Sequence, residues 1–239
     1  MNDLAEKALH GLDTARRAIV ARPSAALAVA GFLIASAVVV TGGRLGAAPA
    51  AVPLNRWLGL LPEAGYQITD AAVGLVMLAA TAALLTLWLL TLMVSRRSAL
   101  RPRQLYSIAG AWTVPFALGP PLLSTEVYTG VAHGLLARNG LSPYHHPPSA
   151  LGHLRVVAAI DPAWRGAQST DGPLATLAQH IVVSLTGGGA IGAVIVWRVI
   201  AVLSVIVIGR FAVELAGPRR TAALSLIVLN PAVLIVVVS

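Results

Sequence analysis

Leu174-Ala175-Thr176-Leu177-Ala178-Gln179-His180-Ile181-Val182-Val183-Ser184-Leu185, closed by Gly187-Gly188-Gly189, is the stretch on which the fold turns. It is apolar enough to enter a membrane but too short to cross one, since a hydrocarbon core of about 30 Å needs about 20 residues. Two topologies follow from its two readings, and charge placement separates them. With the segment lying flat, 11 of the 17 lysines and arginines share one side, among them Arg16, Arg17, Arg96, Arg97, Arg219 and Arg220. Five stand on the other side, Arg44, Arg56, Arg138, Arg155 and Arg165, and Arg198 lies within a span. With the segment crossing, Arg210, Arg219 and Arg220 change sides and the two faces hold eight each. Basic residues gather on the cytoplasmic face, so the flat reading is the consistent one.

The remaining sequence is built for the same solvent. Mean hydropathy is +0.80, with 57% hydrophobic and 11% charged residues, whereas soluble domains carry roughly 25% charged residues. Apolar runs at 24–41, 71–94, 104–123, 190–209 and 221–238 predict spans. Pro115, Pro120 and Pro121 bend or end the outer half of the third. The chain reads as an all-α polytopic membrane protein of the plasma membrane with a cytoplasmic N-terminus. The expected organisation is a cytoplasmic amphipathic segment over 1–23 and three transmembrane helices over 24–123. An extracytoplasmic loop with juxtamembrane helices follows over 124–189, then two further transmembrane helices over 190–239. A net charge of +8 would suit a nucleic acid, but the arginines cluster beside the spans, so membrane topology explains them better, with membrane lipids and no nucleic acid as expected partners. The absence of cysteine excludes a disulfide framework and a thiolate metal site. Ala47-Ala48-Pro49-Ala50 resembles a cleavage site, whereas the polar residues up to Pro23 are those of an uncleaved anchor. The last run stops at Val236-Val237-Val238-Ser239 without a charged or aromatic anchor, which predicts one part of a longer, truncated membrane protein.

Chemistry concentrates in the polar stretch 124–173, which holds three of the nine carboxylates, four of the six histidines and three arginines. Glu126 stands where the third span meets water. A helix over 126–138, capped by Ser124 or Thr125, returns His133 to within about 20° of Glu126 after seven residues. Gly130 falls on the same side, where a substrate could approach closely. A carboxylate and an imidazole on one face can take a proton from an acceptor hydroxyl; the alternative is a helix N-terminal acid beside a solvated histidine. Asn139-Gly140 ends that helix, with Gly140 free to take positive φ. Pro143, Pro147 and Pro148 keep the next segment extended, and Tyr144, His145 and His146 are placed to contact a sugar or a phosphate. Adjacent histidines lack the spacing of a zinc pair, so no metal site is expected.

Asp161-Pro162-Ala163-Trp164-Arg165 supplies a carboxylate, an aromatic plate and a fixed cation. Trp164 either anchors the loop at the interface or plates a ligand, and Arg165 suits a lipid phosphate. Asp171 is either a substrate carboxylate or the N-cap of the flat helix, on which His180 reads as an interfacial side chain. Arg198 costs at least about 2.5–3.5 kcal/mol inside a span, so it must face protein, water or a phosphate, unless it snorkels or pairs with Glu214. Gly187-Gly188-Gly189-Ala190-Ile191-Gly192 fits the spacing of a dinucleotide loop, but no strand precedes it, and it reads as a hinge.

Ser124-Thr125-Glu126-Val127-Tyr128, His133-Gly134-Leu135-Leu136, Gly140-Leu141-Ser142-Pro143-Tyr144, Asp161-Pro162-Ala163-Trp164, Gly172-Pro173-Leu174 and Leu229-Asn230-Pro231-Ala232-Val233-Leu234 occur in this order. Together they resemble the N-terminal portion of the polyprenyl-phosphomannose-dependent α-1,6-mannosyltransferases of actinobacteria, members of the GT-C glycosyltransferases. The resemblance implies a GT-C-like helical bundle that is incomplete here. It also implies inverting transfer of mannose from polyprenyl-phosphomannose to a growing α-1,6-mannan, the lipomannan or lipoarabinomannan core, on the extracytoplasmic face. Glu126 would be the catalytic base. Tyr128, His133 and Tyr144 would shape the acceptor groove, Arg165 and Arg198 would hold the donor phosphate, and Asp161, Trp164 and Asp171 would complete the substrate contacts. No cofactor is implied, because the lipid-linked sugar is a substrate. The family has an aspartate at the position of Glu126 and an aromatic at that of Asp171. The extra methylene of glutamate moves its oxygens by about 1 Å, a displacement that can cost roughly 10²-fold in rate. The competing classes are a non-enzymatic carrier of lipid-linked sugars and an inactive partial fragment.

Overall fold

A computed structural model of the chain describes residues 23–45, 70–96, 100–122 and 126–238. The amphipathic segment expected before Pro23, the cleavage-like stretch at Ala47 and the caps Ser124 and Thr125 lie outside the described residues. Among those described the chain is all-α, without strands. The helices are α1 Pro23–Leu45, α2 Asp70–Arg96, α3 Pro102–Leu118, α4 Glu126–Arg138, α5 Arg155–Ala159, α6 Pro173–Leu185, α7 Ala190–Leu215 and α8 Arg220–Val228, followed by a π-helical turn Val233–Val238. Segments Ser24–Gly43, Ala71–Arg96 and Ala190–Leu215 are long and apolar enough to cross a bilayer. This is a membrane protein.

Packing divides the molecule into a bundle and a head. The bundle core joins Ala35 and Val38 of α1, Leu84 of α2, Trp112 and Phe116 of α3, Val205 of α7 and Leu224 of α8. The head core joins Tyr128 and Val131 of α4, Val156 of α5, Val182 and Val183 of α6, and Ala193 and Val194 of α7. α7 alone among these helices contributes buried residues to both cores. Its side chains Leu203, Phe211 and Leu215 remain exposed, as befits a surface whose solvent is lipid.

Polar side chains fasten the bundle where apolar contact has no driving force. Trp88 Nε1 donates to the Ser225 carbonyl at 2.9 Å, the Ser95 and Ser225 hydroxyls pair at 2.7 Å, and Thr221 Oγ1 donates to the Ser95 carbonyl at 3.2 Å. This seam welds α2 to α8. Trp112 Nε1 donates to the Leu27 carbonyl at 3.0 Å and lies against Gly31, so α1 and α3 meet with only a hydrogen between them.

Two expected spans end differently from their sequence limits, both at prolines. α3 stops at Leu118 rather than continuing to Leu123, because Pro120 and Pro121 have no N–H to donate. The final run is interrupted after Val228. Pro231 cannot donate to the Ile227 carbonyl, and Asn230 Oδ1 instead accepts the Ala232 N–H at 3.0 Å and starts a new turn.

A side chain at Gly31 would fall within the Trp112 indole. Gly31→Val is therefore expected to destabilise the bundle by about 1–3 kcal/mol through overpacking, read as a lower thermal midpoint in detergent. Gly110→Ala, which meets nothing within 4 Å, should leave the midpoint in place. Equal midpoints for the two variants would contradict the close α1–α3 contact.

Candidate functional site

The head is organised by how closely α4 lies on α6. Gly130 and Gly134 form one edge of α4, and a Cβ at Gly134 would stand 2.5 Å from the Gln179 carbonyl oxygen and 2.6 Å from Val183. A Cβ at Gly130 would stand 3.5 Å from Gln179 Nε2. The sequence pattern left this edge open to a substrate, but α6 covers it; the glycines serve helix packing.

α4 runs from Glu126 to Arg138 and ends as expected. Gly140 takes φ 75°, the Leu141 N–H reaches the Leu136 carbonyl at 2.9 Å, and the Gly140 N–H reaches the Ala137 carbonyl at 3.1 Å, a Schellman closure. Glu126 is exposed at the N-terminus of α4, where a carboxylate complements the positive end of the helix. His133 lies on the same face but is buried, and seven residues separate the two by about 10 Å along the axis. Its near charged partner is Asp171 instead, with Nδ1 3.7 Å from Oδ2.

Asp171 is not the cap of α6. Gly172 occupies that position without a side-chain bond, and Pro173 at the first helical turn needs no acceptor for an N–H it lacks. The Asp171 carboxylate instead accepts Gln179 Nε2 at 2.8 Å, and its own N–H donates to Ser169 Oγ at 3.2 Å. Gln179 was absent from the sequence reading. Its signal was a long polar side chain eight residues after Asp171 on a largely apolar helix, 8% exposed in the structure.

The loop between α4 and α6 is zipped to itself. Ser169 N–H donates to the Pro143 carbonyl at 2.9 Å, and Ser149 N–H to the Arg165 carbonyl at 3.0 Å. Tyr144 Oη and Thr176 Oγ1 pair at 2.9 Å, which brings Tyr144 onto α6. His145 and His146 both turn back to Ser142, at 3.1 and 3.2 Å, and among the described residues no group of three potential ligands could hold a metal ion. Asp161 Oδ1 accepts the Ala163 N–H at 2.9 Å and starts a turn that leaves Trp164 60% exposed. Arg165 spends Nε on the Ile160 carbonyl and Nη2 on the Ala158 carbonyl, both at 2.9 Å. Two of its five N–H donors thus brace the loop rather than face a phosphate.

Arg198 is buried, and its Nη1 donates to the carbonyls of Ala117, at 3.3 Å, and Gly119. Ala117 would receive its bond from residue 121 in a continuing helix, but residue 121 is proline. The guanidinium therefore replaces a missing backbone donor at the negative end of α3. The alternative pairing with Glu214 is not the one adopted: sixteen residues of helix, about 24 Å, separate the two. Tyr128 is 2% exposed, and its hydroxyl has no hydrogen-bond partner among the described residues. Burial pushes its phenol up to about 12 against the opposing pull of the Arg198 charge.

The structure thus brings His133, Asp171 and Gln179 together, joins Tyr144 to α6, and buries Tyr128 in the head core, with Arg198 between the two cores. A separate cleft of about 500 Å³ lies between Leu135, Leu154, Arg155 and the Gly187–Gly189 turn. Gly187 and Gly188 there take φ 64° and 86°, conformations that favour glycine.

A family model described as alpha-(1→6)-mannopyranosyltransferase, N-terminal domain, matches residues 28–239. An alpha-(1→6)-mannopyranosyltransferase of Mycobacterium tuberculosis is 31% identical over 126 residues, 50% of this chain and 21% of the relative. A probable alpha-(1→6)-mannopyranosyltransferase of Mycolicibacterium smegmatis is 32% identical over 122 residues, 50% of this chain and 22% of the relative. Alpha-(1→6)-mannopyranosyltransferase B of Corynebacterium glutamicum is 29% identical over 129 residues, 51% of this chain and 21% of the relative. The matched segment therefore spans about a fifth of each relative's length. No solved structure matches the chain.

Burial holds the His133 imidazole below its ordinary value of 6.5, with Asp171 pulling the other way. A depressed histidine binds fewer protons folded than unfolded, so stability is full above the unfolded value and falls as pH drops through about 6.5 and below. Thermal midpoints in detergent should decline over that window in the wild type and decline less in His133→Gln. Parallel profiles for the two would remove His133 as the titrating group.

Proposed function

Since the chain belongs to the alpha-(1→6)-mannopyranosyltransferase family, matching its N-terminal domain over residues 28–239, we propose that it moves mannose from polyprenyl-phosphomannose to a growing α-1,6-mannan at the extracytoplasmic membrane face. The observation that carries this reading is the position of Glu126. It is an exposed carboxylate at the head of α4, a few residues beyond the Gly119-Pro120-Pro121 exit of the bundle. In the proposed step Glu126 takes the proton of an acceptor hydroxyl. The freed oxygen bonds to the mannose anomeric carbon from the face opposite the phosphate, and the carbon–oxygen bond to phosphate breaks with its electron pair leaving on polyprenyl phosphate. Inversion follows from that approach. A general base of this kind contributes typically 10²–10⁴-fold in rate.

Tyr144 and the Asp171 region form the acceptor side, and Trp164 lies against headgroups. Arg165 keeps N–H groups beyond the two it gives to the loop, and these are assigned to the donor phosphate, whose leaving charge a fixed cation stabilises. Arg198 acts one layer further in, holding the α3 exit from which the Glu126 segment departs. The carrier reading would draw on the interrupted helix at Asn230-Pro231, since broken helices mark transport sites. The titratable groups gather in the head instead, which favours the transferase.

Glu126→Gln, made in the complete enzyme, should lower mannosyl transfer by at least about 10²-fold with expression unchanged, measured with labelled polyprenyl-phosphomannose and a short mannan acceptor. Near-normal turnover would take Glu126 out of the mechanism. The orientation is tested by Ser149→Cys, an exposed loop position, which an impermeant thiol reagent should label in intact cells. Labelling only after lysis would put the head on the cytoplasmic side and end the lipid-linked donor proposal.

A further inference from the structure

Where α4 meets α6, hydrogen-bond acceptors accumulate and donors run out. Gln179 commits Nε2 to Asp171 Oδ2, while its Oε1 is buried with no partner among the described residues. His133 is 4% exposed, and neither ring nitrogen has a partner within hydrogen-bond distance. At 3.7 Å its Nδ1 faces the same Asp171 oxygen beyond the limit of a formed bond. A buried neutral imidazole carries one proton, and the facing carboxylate draws that proton to Nδ1, which leaves Nε2 as an acceptor. A carboxylate with Gln179 as its side-chain donor thus stands beside an imidazole nitrogen and an amide oxygen that have none among the described residues. Unmade bonds of this kind are costly in a packed interior, and each asks for a partner.

The chemistry of that partner follows from the deficit. An anion would meet the Asp171 carboxylate, and an apolar group would leave its exposed lone pairs unmet. A neutral ligand rich in O–H donors suits the exposed face of that carboxylate, which the buried His133 and Gln179 hold from within. The opening exists on one side, because the Asp171 side chain is 42% exposed while His133 and Gln179 back it from within. The rim has the same character. Thr176 lies one turn before Gln179 on α6, its hydroxyl shared with Tyr144, and the half-exposed Tyr144 ring offers an aromatic face. Ser169 ties the two sides together, receiving the Asp171 N–H on its hydroxyl and donating its own N–H to the Pro143 carbonyl.

We propose that this constellation is a sugar-hydroxyl site in which Asp171 receives the acceptor's hydroxyls and Gln179 is the positioning residue that fixes the carboxylate against His133. The identity of the sugar rests on the mannosyl-transfer reading; the donor deficit that defines the site does not.

The test is binding of α-1,6-mannobiose to the full chain in detergent, followed by saturation-transfer NMR. Wild type should bind, and Gln179→Met, close in size and unable to hold the carboxylate, should weaken binding about 10-fold or more with an unchanged thermal midpoint. Asp171→Asn should weaken it comparably, and the double variant should be no weaker than the worse single, since both remove one unit. Failure of wild type to bind, wild-type affinity in Gln179→Met, or additive losses would each overturn the site. If Gln179→Met does not fold, Thr176→Val at the rim and Asp171→Asn carry the same test, and unaltered binding in both overturns it. Mannobiose binding and mannosyl transfer are read separately in each variant. Transfer lost with binding kept leaves this site standing, and transfer present without binding removes this site alone.

Discussion

Ala193 and Val194 pack into the head and Val205 into the bundle, separated on the same helix by about 16 Å of rise. That double membership constrains everything else. α7 cannot rotate to improve its fit in one core without disturbing the other, because each core requires a different turn of it to face inward. At the level between them sits Arg198, whose guanidinium closes the Ala117 carbonyl that Pro121 leaves open and the Gly119 carbonyl beyond the end of α3. In a low-dielectric layer an open carbonyl costs several kcal/mol, so the contact fixes both the height of α7 against α3 and the direction in which the chain departs toward Glu126.

The head shows the opposite strategy. There glycine removes side chains so that backbones can touch. With Gly134 against the Gln179 carbonyl, α4 and α6 stand close enough for side chains rooted on different elements to share one carboxylate oxygen. A bulkier residue at Gly134 would push α6 outward and dissolve that arrangement before any functional group had been altered. Tight packing here is what gives polar groups fixed positions, and fixed positions are what chemistry on a sugar requires.

Much of this was legible in order and little of it in depth. Glu126 to Arg138 could be read as a helix because an acid opens it and Asn139-Gly140 closes it, and the short run to Leu185 was visible as a helix apart from the spans by its length. Periodicity assigns residues to a face, which placed Glu126 and His133 together correctly as an angle. It does not say what covers that face, so the glycine edge looked open when α6 lies on it, and Asp171 looked like a cap when its partners are His133 and Gln179. Arg198 was marked as costly by its position alone. Its solution depended on the end of α3 at Pro121, about eighty residues away, a pairing that no local pattern encodes.

That pairing also carries a schedule. The segment bearing Ala117 and Gly119 leaves the ribosome well before α7 does, so the acceptors for the guanidinium exist before the arginine arrives. The one costly charge of an otherwise strongly apolar helix then meets acceptors that were made before it. Read in this way, the order of the elements along the gene is part of how the protein enters the membrane at all.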